Sequence, residues 1–365
     1  DDGIRGKDYA IINGGSITVR AGGDGIKADN DEEADRGYVQ ISDGTVDIES
    51  GDDGVQAATD VLVTGGSITI DAGSASEDGR AIQGDVMVVI SDGVIDASAT
   101  DDALHSNNEI TIDGGTLTLA SGDDAVHGDH LVTVNGGSIT ITEAFEGIES
   151  EVIFINEGFI DITSRDDGLN VAGAEATAET PVAGGGGGAE AVGDYYIYIN
   201  GGTTVITVLG DLAEQGDGID ANGHVEMSGG TVVISGPTDT RNSALDYSGG
   251  SFTMTGGVLV GTNVDGRNSE GVGFGSTQAS MYLTTGSTIS GTTVVHIATS
   301  DGESLVTFEP VNAYSVIVFS SPDLVDGESY DVYLGGTVSG DSPTNLYEDS
   351  AYSAGELAGT VTASV

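Results

Sequence analysis

The chain has 365 residues with 60 acidic against 9 basic side chains, a formal net charge of −51. That balance argues against nucleic acid and anionic membrane surfaces as partners. The absence of cysteine excludes a disulfide framework and thiol chemistry. No apolar run is long enough to cross a membrane. With 60 glycines and 5 prolines, but Ile and Val regularly placed, the composition suits short strands and turns rather than helices or an acidic disordered chain.

In chain order, the first element is "DDGIRG", which opens the sequence as a mature or trimmed product would. An internal period follows. A Gly-Gly or acidic-Gly pair precedes each "SITV"-like strand, with its second glycine at Gly15, Gly44, Gly66, Gly93, Gly115, Gly137, Gly158, Gly202, Gly230 and Gly257. The basic spacing is 21 or 22 residues, with insertions raising some intervals to 27–29. One interval of 44 contains the Ala/Gly-rich segment 171–194, read as an extruded loop whose "GGGGG" is not a phosphate cradle. Each repeat holds three extended pieces: one before the pair, one after it, and an acidic one such as "DAVHGD" at Asp124–Asp129. The first two alternate apolar and polar residues, and the paired glycines suit turns at positive φ.

Three strands in 22 residues predict an all-β, right-handed parallel β-helix of about ten coils, spanning residues 1–270. Leucine-rich repeats would need leucines and a helical segment, and propeller blades a longer period. After Gly271 the period fades. Residues 271–365 read as a short antiparallel β element that caps or extends the rod. No comparable cap precedes "DDGI", so either an N-terminal piece was removed or that end docks on another molecule. End-to-end self-association into a filament is therefore expected as the alternative use of the rod.

The acidic pieces align. Asp24, Asp53, Asp102, Asp124, Glu146 and Asp167 each lie nine residues after their second glycine, and Arg80, Asp217 and Ser243 are their equivalents after longer turns. Two residues on, the position is always aliphatic, from Ile26 to Leu245, and is read as inward-facing. The next position is then outward and runs Lys27, Gln56, Gln83, His105, His127, Glu149, Asn170, Asp220, Asp246. Two further along stand Asp29, Asp85, Asn107, Asp129, Glu151 and Asn222. Equivalent positions on neighbouring coils of a β-helix are about 4.8 Å apart. Bare carboxylates at that spacing repel, while calcium takes oxygens at about 2.3–2.6 Å. Several Ca2+ ions are thus expected between coils. The candidate ligands are Asp2, Asp24, Asp29, Asp53, Asp102, Asp124, Asp129, Glu146, Glu149, Asp167, Asp217, Asp220 and Asp246. A solvated acidic edge is the plainer alternative. Arg80 is expected to form ion pairs instead of admitting metal.

His105 and His127 fall in register, as a transition-metal pair or as a stacked, calcium-adjacent pair. "DYYIYINGG" offers Tyr195, Tyr196 and Tyr198 as a carbohydrate-binding platform or a cap over the core. A calcium-assisted lyase would need a base, for which Arg5, Lys7, Lys27 and Arg165 are the candidates; ion pairing is the simpler role for each, so no enzyme is expected. No nucleophile triad or nucleotide fingerprint stands out.

The stretches "DDGIRGKDYAIINGGSITVRAGGDGIKADND", "EGIESEVIFI", "RDDGLNVAG", "GDGIDANGHVEMSGGTVVISGPT", "ALDYSGG" and "SSPDLVDGESYDVYLGG" resemble a bacterial family of carbohydrate-binding parallel β-helix proteins, polysaccharide-lyase-like in fold. The resemblance implies a secreted or cell-surface protein holding several calcium ions on the acids of its "DG-I" motifs. It also implies binding to cellulose or pectin without catalysis.

Overall fold

The structure, a computed structural model, describes all residues except 173–191, 210–214, 248, 267–268, 348–351 and 354, so most of the expected Ala/Gly-rich loop lies outside the described residues. Among the described residues every regular element is a strand, as the glycine-rich, period-two sequence requires.

The ten acidic pieces form one parallel sheet, in chain order: Ile4–Gly6, Ile26–Ala28, Val55–Ala57, Ile82–Gly84, Leu104–Ser106, Val126–Gly128, Ile148–Ser150, Leu169–Val171, Ile219–Ala221 and Leu245–Asp246. The aliphatic column pairs Ile4, Ile26, Val55, Ile82, Leu104, Val126, Ile148, Leu169, Ile219 and Leu245 in unbroken register. From Ile26 to Leu245 each member is at most 1% exposed, which bears out their inward reading. Each such side chain removed from water stabilises by about 1.5–3 kcal/mol.

The pieces flanking the glycine pair also stack in parallel. In the early repeats they run together as long strands, Tyr9–Arg20, Tyr38–Glu49, Asp60–Asp71 and Met87–Ser98. From Glu109 onward each divides into two, as in Leu131–Val134 and Ser138–Glu143. All ten second glycines have φ between +71° and +125°, a region that a side chain with Cβ disfavours. Beside these turns Asn135 donates to Asp113, Asn156 to Asn135 and Asn200 to Asn156, at 2.8–2.9 Å, so side-chain amides also link successive repeats.

The parallel pairing ends at Val258–Asn263. The strand Tyr314–Ser320 runs antiparallel to it and to Ser280–Ile289. All seven residues of Tyr314–Ser320 are buried. Val316 and Val318 enter the core of the repeats, and Ile317 and Phe319 enter a second core. That second core lies against a four-stranded antiparallel sheet ordered Ser304–Phe308, Val295–Thr299, Ser329–Leu334, Glu356–Thr362.

Candidate functional site

On the face of the acidic sheet turned away from the core, one residue per repeat forms a continuous column: Arg5, Lys27, Gln56, Gln83, His105, His127, Glu149, Asn170, Asp220, Asp246. Its charge runs from cationic through amide and imidazole to anionic. Although outward-facing, the column is not solvated throughout: His105, Glu149, Asn170 and Asp246 are buried.

Beside it runs the aligned carboxylate column. Asp24, Asp53, Asp102, Asp124, Asp167 and Asp217 are all buried. The reason is local. Asp102 accepts a hydrogen bond from the Asp124 backbone N–H at 3.1 Å, and Asp53 accepts one from Arg80 N–H at 2.9 Å. Asp167 accepts from Asp217 N–H and Asp217 from Ser243 N–H in the same way. One oxygen of each of these four carboxylates therefore joins its turn to the next. Without charge compensation such burial favours the neutral acid. Burial, with Asp24 adding repulsion, pushes Asp53 up to about 6. Burial and a shared proton with Asp124 push Glu149 up to about 8. Burial likewise holds Asp124, Glu146, Asp167 and Asp217 well above the usual carboxylate range.

The repeats differ in what compensates these charges. In the first two, side chains do so: Arg5 pairs with Asp29 and lies 3.5 Å from Asp2, and Lys27 Nζ is 2.5 Å from Asp24. Arg80 lies 3.0 Å from Asp101 and 3.6 Å from Asp102, the ion pairing expected of it. Burial pushes Asp102 up, but its bond to His105 and the charges around it outweigh burial and hold it below the ordinary value. Further along, the acids crowd each other. Oxygens of Glu146, Asp166 and Asp167 lie within 4.8 Å of one another, as do those of Asp167, Asp217 and Asp220. Among them Asn170 donates from Nδ2 to Glu146 at 2.8 Å, while its Oδ1 is buried without a hydrogen-bond partner. An all-oxygen set with an unsatisfied amide acceptor is the donor chemistry of a hard divalent cation.

Of the other predicted positions, Asp129 lies 3.6 Å from His127 Nε2, and Asp246 pairs with Asp220 at the end of the column. Tyr196 and Tyr198 stack with ring centroids 5.3 Å apart, whereas Tyr195 packs against the repeat core. The ring column extends beyond the sequence reading, since Phe154 stacks on Tyr198 at 4.6 Å and His224 lies tilted by 37° against Tyr196 at 5.0 Å. The ring faces are thus largely occupied by each other. Asp101, Asp123 and Asp166, each the first acid of an "Asp-Asp" doublet, also join the carboxylate groups. The doublet itself was the signal for them.

These features define an all-β repeat protein whose outer face carries a column of buried carboxylates. A family model described as carbohydrate-binding domain-containing protein matches residues 1–125, which reach the Asp124 turn. No curated protein and no solved structure matches the chain.

Proposed function

We propose that this is an extracellular, calcium-stabilised protein that winds as a right-handed parallel β-helix and binds polysaccharide without catalysis. Parallel strands joined by crossovers adopt the right-handed path almost without exception. The observation that carries the calcium reading is the unpartnered Oδ1 of Asn170, whose Nδ2 bonds Glu146 and whose register partners are Glu149 and Asp220. A cation there would satisfy the amide oxygen and neutralise acids that burial otherwise keeps protonated. Glu146, Glu149, Asp167, Asn170, Asp217 and Asp220 would hold calcium. The early positions Asp2, Asp24 and Asp29 already have Arg5 and Lys27 beside them.

The family match supports carbohydrate as the ligand, and the resemblance to cellulose- and pectin-binding proteins narrows it to plant-type polysaccharide. An anionic chain would be held through bound calcium, since the protein's own surface repels it. The non-catalytic reading draws support from the bases. Lys27 and Arg5 are committed to aspartates, and Arg165 donates to Gly122 O at 2.7 Å.

Co-sedimentation with cellulose and with polygalacturonate, each with calcium and with chelator, tests the reading. Calcium-dependent retention on polygalacturonate, without release of unsaturated fragments, is expected. Absence of retention on both polymers would refute polysaccharide binding, and unsaturated products would make the protein a lyase.

A further inference from the structure

Two imidazoles interrupt the carboxylate column. His105 and His127 are register partners on adjacent repeats, with ring centroids 5.1 Å apart and planes at 77°. Both turn Nδ1 toward the same oxygen: Asp102 Oδ2 is 2.7 Å from His105 Nδ1 and 3.7 Å from His127 Nδ1. His127 Nδ1 is also 3.3 Å from Asp124 Oδ2 and 3.8 Å from Glu149 Oε2. Asp102 Oδ1 is occupied by the Asp124 N–H, so Oδ2, which Arg80 Nε also approaches at 3.6 Å, is the oxygen turned toward the two rings.

The far side of each ring is backed by oxygen. His105 Nε2 lies 3.0 Å from Asn107 Oδ1, and His127 Nε2 lies 3.6 Å from Asp129 Oδ1. An amide oxygen only accepts, so His105 Nε2 carries the hydrogen. A metal ion at Nδ1 would take the place of the hydrogen that His105 shares with Asp102, while Nε2–H stays on Asn107. A ring nitrogen facing a ligand cluster, with the opposite N–H held by an oxygen, is also how metal-binding histidines are oriented.

We infer that Asp102, His105 and His127 form a binding site for a divalent transition metal ion of the zinc type, distinct from the calcium positions and independent of that reading. Calcium prefers oxygen, whereas imidazole suits zinc. Four ligands at 2.0–2.1 Å around tetrahedral zinc stand about 3.4 Å apart. The Nδ1-to-oxygen separations at His127 span 3.3–3.8 Å, and His105 Nδ1, now 2.7 Å from Asp102 Oδ2, would move apart from it to admit the ion. The fourth position falls to Asp124, or to water from the open cleft of about 420 Å³ onto which these residues face.

The test uses the untagged full chain, stripped with chelator and then dialysed against zinc in saturating calcium. One zinc per chain is expected to be retained. Cobalt substitution should give a tetrahedral absorption spectrum, and zinc should shift the NMR signals of two of the five histidines. His105→Ala and His127→Ala should each weaken zinc binding by at least about 10–100-fold and leave calcium-dependent melting unchanged. His130→Ala, whose ring contacts Glu151 outside the site, should bind zinc normally. Stripped wild-type protein that takes up no zinc in calcium would overturn the inference without recourse to a variant. Full retention of zinc by the His105→Ala/His127→Ala double variant, or zinc-shifted histidines other than these two, would do the same.

Discussion

Asn170 and Glu146 form a half-satisfied pair across neighbouring repeats: the amide donates to the Glu146 carboxylate at 2.8 Å, yet its own oxygen is buried with no partner. An amide in such a place stabilises poorly unless a cation meets its oxygen, because the unpaired acceptor costs about 1–3 kcal/mol. Asn170→Asp should remove the donor to Glu146 and add a charge. In chelator its melting temperature should fall below wild type, and in calcium the gain on ion binding should exceed that of wild type. Equal calcium-induced shifts in the two proteins, by scanning calorimetry, would exclude the Asn170 position from ion binding.

The buried acids give a pH dependence whose sign changes with metal. Asp53 rises from 3.8 to about 6 and Glu149 from 4.5 to about 8 on folding. The folded chain therefore holds protons that the unfolded chain releases. Their stabilisation is complete below about pH 4 and is lost as pH rises through about 6 and then about 8. A two-unit shift is worth on the order of 3 kcal/mol. In chelator the melting temperature should fall steadily across that window. In saturating calcium the fall should be abolished or reversed, since metal binds the deprotonated ligands. A flat profile in chelator would contradict the burial described.

Lys27 supplies the positive charge beside the buried carboxylate of the second repeat. Its ammonium lies 2.5 Å from Asp24, whose side chain is 5% exposed. Removing one member of a buried pair is costly, and partial exposure of Lys27 reduces the expected loss to about 2–3 kcal/mol. Lys27→Met should show that loss in chelator and recover part of it in calcium, with one more ion bound per chain by equilibrium dialysis. An unchanged ion count would show that the lysine does not occupy a cation position.

The ring column tests differently. Tyr198 sits between Phe154 and Tyr196, so Tyr198→Ser breaks two stacked contacts worth about 0.5–1.5 kcal/mol each beyond area burial. Stability should drop whatever the polysaccharide affinity does. Because the ring faces are covered, retention on cellulose should change little. Lost retention with unchanged stability would instead make the ring edges a sugar contact.

The repeat was legible in the sequence because stacking imposes it residue by residue: every second glycine that fixed the alignment has positive φ, and from Ile26 to Leu245 every aliphatic member of the column is buried. The identity of the charge partners was less legible. Lys27 beside Asp24, or Asp102 beside His127, depends on which side chain reaches across a groove. The depth of the acids escaped the sequence reading as well. Their burial follows from bonds to backbone N–H groups of the next repeat, such as Asp124 N–H to Asp102, and a main-chain donor leaves no mark on residue type. Phe154 and His224 were missed for a related reason, since a column of mixed rings shows no repeated letter.

The strand Tyr314–Ser320 crosses the end of the parallel ladder in the opposite direction and shares its side chains between two cores. Growth by adding units beyond that strand would strand a hydrophobic surface. On this side of the ladder, lengthening must therefore proceed by duplication within the array, where a new unit finds a matching neighbour above and below. Each internal duplication would lengthen the ladder by one strand spacing and add one more rung of acids, while the crossing strand stayed as it is.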